Sequence, residues 1–181
     1  MALLFAGYFP KRIALRDDWL KAPDVREIWS VSDCISKGPP DWIDKWLHND
    51  VGLFDTRDLA MSILSKEEAQ TFTIVGYRVW DRMFDQGEEV ALRVDLPVLP
   101  GPDADFVTVG FDAVARSQAF FDCSPLSCNG GAETFATNEA CLFRTLDEAL
   151  AGAREFSRGG WEPGPYWVVE VLSADRAAPG R

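Results

Sequence analysis

Residues 71–99 read TFTIVGYRVWDRMFDQGEEVALRVDLPVL. Val, Ile, Thr and aromatic side chains crowd its first half, the types that pack best on a pleated surface. DQGE at 85–88 separates this run from a second, EEVALRVDLPVL, and its glycine makes it a hairpin turn. The stretch therefore predicts two antiparallel strands.

Working outward, DFVTVGFDAVARS (105–117) alternates Phe106, Thr108 and Gly110 on one side with Val107, Val109 and Phe111 on the other, the period of a strand. MALLFAGYF (1–9), ended by Pro10, reads as a first strand, and the apolar run after the Pro-Gly-Pro at 163–165 as a last one. TLDEALAGAREFSR (145–158) is helical: Thr145 caps it, Glu148 completes a capping box, and Leu146, Ala149, Leu150, Ala153 and Phe156 share a face. Gly159-Gly160 ends it. Between the first strand and the hairpin, Asp41 is placed to cap a helix over 42–47, and Asp55 a second in TRDLAMSILS. No internal repeat and no linker stands out. The order predicts one α+β domain over 1–181. It has a mostly antiparallel mixed sheet of about five strands, helices packed on one face, and a frayed tail at 174–181.

Eighteen basic against 29 acidic residues give a net charge of −11, which argues against nucleic acid and anionic membranes as partners. No run approaches the roughly 20 apolar residues of a membrane span. Lys11 and Arg12 follow the first apolar run, the reverse of a signal peptide. The expectation is a cytoplasmic protein with reduced cysteines. The chain holds a single histidine and lacks GxSxG, P-loop and GxGxxG motifs, which excludes the common hydrolase and nucleotide-binding designs. No cofactor is expected.

FDCSPLSCNGGAE (121–133) holds two of the four cysteines. Cys123 and Cys128 have a spacing tolerated by structural zinc, but a closed site needs two more ligands, for which the chain offers Cys34, Cys141 and His48. A thiol nucleophile at Cys128 would require a base, and His48 is the sole candidate. Burial as small hydrophobes bracketing a tight loop is the plainer reading. The loop region 117–141, with Cys123, Cys128 and Asn129, is nevertheless where a binding site is sought, because long irregular segments host them. Asp112, a carboxylate inside an apolar strand, is either a pocket residue or the outward position of an alternating strand.

Trp42 and Trp46 at helical spacing suit a core. Alternatively, ringed by Asp41 and Asp44, they form a recognition surface to which Glu88 and Glu89 add charge. Composition points to an acidic module that binds a basic protein, in the manner of an immunity protein or antitoxin. The alternatives are an enzyme with a cysteine or carboxylate site, using Cys128, His48 or Asp112, and a small-ligand or metal-binding domain.

Overall fold

A computed structural model describes residues 1–116 and 123–175. The strands are β1 (Leu3–Lys11), β2 (Ala14–Leu15), β3 (Glu27–Ile28), β4 (Thr73–Asp85), β5 (Glu88–Ala91), β6 (Val107–Ala115) and β7 (Tyr166–Ser173). Five of them form one antiparallel sheet in the order β1-β4-β7-β6, with β5 hairpinned onto β4, while β2 and β3 pair separately. The hairpin turn is where 85–88 placed it: Gln86 and Gly87 both take positive φ, the conformation that matches strand twist. The helices are α1 (Arg57–Ser62), α2 (Pro125–Cys128) and α3 (Leu146–Ser157). Among the described residues no helix is long and apolar enough to cross a membrane. Of the tail expected at 174–181, residues 176–181 lie outside the described residues.

β7 is buried along its whole length, as a central strand covered on both sides must be. Its one charge, Glu170, accepts from Arg78 Nη1 at 3.2 Å and Thr108 Oγ1 at 2.6 Å. α3 lays Ala149, Ala153 and Phe156 against Ala113, Tyr166 and Val168, the alanines letting the helix approach closely. The expected capping box at Thr145 and Glu148 is present. The helix expected over 42–47 is instead one 3-10 turn, Ile43–Lys45, after which Trp46 turns left-handed. The left-handed backbone of Trp46, φ 51°, takes the chain out of the helical region and ends the turn there. α1 is capped by Thr56, one residue beyond the expected Asp55.

The register contains a repeat that the sequence did not disclose. Tyr77 pairs with Val171 at the centre of the sheet, flanked symmetrically by Gly76–Leu172 and Arg78–Glu170. On one side Gly7 pairs with Tyr77 and Phe5 with Arg78, leaving Ala6 as a bulge. On the other, Gly110 pairs with Val171 and Thr108 with Leu172, leaving Val109 as the bulge. Interchanging β1 with β6 and β4 with β7 leaves this pattern unchanged, which is an approximate two-fold axis passing between Tyr77 and Val171.

The connections repeat as well. Asn49 donates from Nδ2 to Ala6 O, and its Oδ1 accepts from Val51 N and Leu53 N. Asn138 does the same with Val109 O, Ala140 N and Leu142 N. Phe54 then bridges to Tyr8 and Phe143 to Phe111, closing the two outer edges of the sheet. Thr56 and Thr145 cap the helices that follow. In each repeat this closure needs a glycine in the strand. A Cβ on Gly7 would stand 2.7 Å from Phe54 O, and one on Gly110 2.8 Å from Phe143 O.

Candidate functional site

Cys34 precedes Asn49 by the same interval as Cys123 precedes Asn138, and each follows an aspartate. The two cysteines are counterparts in the two repeats, and the fold brings them together with Cys128. All three Sγ atoms lie within 4.8 Å of one another, the one such gathering of three Cys, His, Asp or Glu ligand atoms among the described residues. Cys34 is exposed and the other two half-buried, so the group opens to solvent on one side.

Two buried charges assemble it. The ammonium of Lys11, at the end of β1 and 2% exposed, donates to Val31 O, Ser32 O and Ser36 O at 2.9 Å each and to Asp33 Oδ1 at 2.5 Å. It thereby holds the loop that carries Cys34. Burial depresses its pKa, opposed by the charge of Asp33. Asp112, fully buried on β6, accepts from Val31 N at 2.9 Å, Ser30 Oγ at 3.2 Å and Ser124 Oγ at 2.6 Å. Burial raises its pKa, and these bonds oppose the rise. Ser124 stands at the N-cap of α2, and its hydroxyl serves Asp112 instead of capping the helix.

The sulfurs are surrounded by polar groups. Ser32 Oγ accepts from Cys34 N and lies 3.7 Å from Cys128 Sγ, and Ser127 Oγ lies 3.8 Å from the same sulfur. Cys123 Sγ faces Asn129 Oδ1 at 3.5 Å, and Asn129 donates to Glu162. The hydrogen bond shared with Cys123 favours the Cys128 thiolate; the Ser124 amide and the Ser32 and Ser127 hydroxyls add to this, against desolvation. The same bond holds Cys123 protonated, aided by burial, and burial raises Cys34. These influences favour a thiolate at Cys128, and a cation binding to all three sulfurs would release the remaining protons.

The other sequence-selected residues sort themselves around this centre. Cys141 is buried away from it at a left-handed turn, the counterpart of Gly52, with burial pushing its thiol up to about 12. His48 is elsewhere: its ring sits 5.3 Å from that of Trp42 and 6.3 Å from that of Trp46, with Nδ1 3.0 Å from Asn49 O. Trp42 is buried against Phe9 and Phe54, whereas Trp46 is 80% exposed, and Asp41 and Asp44, close to it in sequence, are exposed too. Glu88 and Glu89 lie on the β5 edge, Glu89 within 3.6 Å of Arg82 Nε.

Sequence reasoning passed over Lys11, Ser30, Ser32 and Ser124. The repeat could have exposed two of its charged parts. Asp112 replaces the counterpart Phe9, and Lys11 stands opposite the counterpart Val114; Cys128, likewise, stands opposite Pro39. The centre thus consists of one symmetric pair, Cys34 and Cys123, plus departures from symmetry. Comparison with protein-family models, curated proteins and solved structures gives no match to this chain.

Proposed function

We propose that this protein binds one metal ion of the zinc class through the thiolates of Cys34, Cys123 and Cys128. The observation that carries the reading is the convergence of three sulfurs from separated positions within 4.8 Å. A zinc–sulfur bond of about 2.3 Å puts sulfurs on a tetrahedral ion about 3.8 Å apart, which small side-chain rotations reach from here. Thiolates select soft ions, and three of them leave a fourth position for water or an incoming ligand. The hydroxyls and amide around Cys128 are the outer-shell hydrogen bonds such a site requires.

The test is titration of reduced, metal-free protein with Co2+. Sulfur-to-cobalt absorption should saturate near one equivalent and be displaced by Zn2+. Cys141→Ser should retain the signal, and the triple serine variant of Cys34, Cys123 and Cys128 should lose it. Fully reduced protein that gives no absorption rules the reading out.

A second reading rests on Trp46. Its exposure, a few residues along the chain from exposed Asp41 and Asp44 in a protein of net charge −11, favours an interaction module for a basic protein, such as an immunity- or antitoxin-type inhibitor. Both readings fit a cytoplasmic protein.

A further inference from the structure

The three sulfurs come from two chain segments that are far apart in sequence and belong to different repeats. Neither segment is a long regular element. Cys34 lies in a loop, and Cys128 ends a four-residue helix. Their mutual placement must come from something that touches both. Among the described contacts, Asp112, which stands on β6 and belongs to neither segment, is a side chain that touches both. Its Oδ2 receives Val31 N and Ser30 Oγ from the first repeat's cysteine loop, while its Oδ1 receives Ser124 Oγ, next to Cys123 in the second.

A buried carboxylate is costly unless its acceptors are filled. Asp112 fills them with donors from both repeats, so satisfying the carboxylate and docking the two cysteine segments are one event. Ser30 Oγ in turn accepts from Ser32 N, and Ser32 Oγ touches Cys128 Sγ, which extends the same chain of contacts to the third sulfur. In the first repeat the corresponding strand position is Phe9, which packs on Trp42 and Phe54 and organises only its own repeat.

We propose that Asp112 is the positioning residue of the thiol centre, a carboxylate that is not a ligand but holds the two repeats' cysteine segments at binding distance. This rests on the metal reading for its purpose but not for its geometry. Two readouts therefore test it. One is Co2+ affinity and the thiolate absorption. The other is cross-linking by dibromobimane, which fluoresces once it has joined two neighbouring thiols and needs no metal.

Asp112→Asn, which presents an amide N–H where Val31 N or the serine hydroxyls donate, should weaken Co2+ binding about 10- to 100-fold and lower the cross-linking rate. Ser124→Ala removes one arm alone and should move both readouts in the same direction by less, even if Asp112→Asn folds poorly. Ile63→Ala, a cavity at the end of α1, is the control for destabilisation and should leave both unchanged. Normal affinity and cross-linking in Asp112→Asn and Ser124→Ala overturn the proposal, as does an equal loss in Ile63→Ala. If the wild type takes up no Co2+ yet Asp112→Asn cross-links more slowly, the metal reading fails and the positioning role stands.

Discussion

Lys11 shows how one side chain can decide a loop. An amine is expected at the surface, where its charge is hydrated, but here the loop 31–36 wraps it with three carbonyls and a carboxylate. The ammonium serves those carbonyls as they serve it, because a buried carbonyl and a buried charge are each costly unless hydrogen-bonded. Asp33 is 46% exposed, so its charge alone would be rehydrated cheaply, and the carbonyls carry most of the cost. Lys11→Met should therefore lower stability by about 2–4 kcal/mol, read as a drop in the urea midpoint at constant slope. An unchanged midpoint would mean that the loop holds itself. Nothing in YFPKR marks this lysine in the sequence, since a residue after an apolar strand is ordinarily its solvated end. Asp112 was visible as an oddity, a carboxylate in VGFDAVA, but its role needed the partners that only the fold supplies.

At the scale of elements, the chain builds the same device twice. A strand glycine, an asparagine turn, a Leu-Phe bridge and a threonine-capped helix recur in the same order and with the same hydrogen bonds. The close approach of Phe54 O to Gly7 and of Phe143 O to Gly110 makes a methyl group at either position intolerable without backbone movement. Gly7→Ala and Gly110→Ala should each cost about 1–3 kcal/mol, with Gly7 the higher because its φ of 133° adds strain. Thermal unfolding of the two variants checks this; a neutral substitution at either site would show that the turn docks loosely. The strands and α3 were legible in sequence because period and capping are local properties. The repeat was not, because only short fragments coincide, such as Leu53-Phe54 with Leu142-Phe143, while Trp42 answers to Gly131 and Pro39 to Cys128. What the repeats share is backbone geometry, which many side chains can satisfy.

For the whole molecule, the surface and the interior point in different directions. The net charge of −11 and exposed Trp46 belong to the surface, and they predict binding to a basic protein that weakens as salt screens the attraction. A pull-down at low and moderate salt should release a stoichiometric basic protein as salt rises, and Trp46→Ala should reduce its capture about tenfold or more. Capture indifferent to both salt and Trp46 would remove the interaction reading. The thiol centre depends on the interior. Sequence alone determined the α+β class, the antiparallel hairpin, the capping of α3 and the acidity, because each follows from neighbours within a few residues. It could list four cysteines but could not choose among them. The choice of Cys34, Cys123 and Cys128 over Cys141 was made by the pairing of β4 with β7, which joins two distant repeats side by side in one sheet. Buried Lys11 and Asp112 then fix their loops. Long-range pairing and the satisfaction of buried charge are tertiary properties, and local spacing carries no record of either.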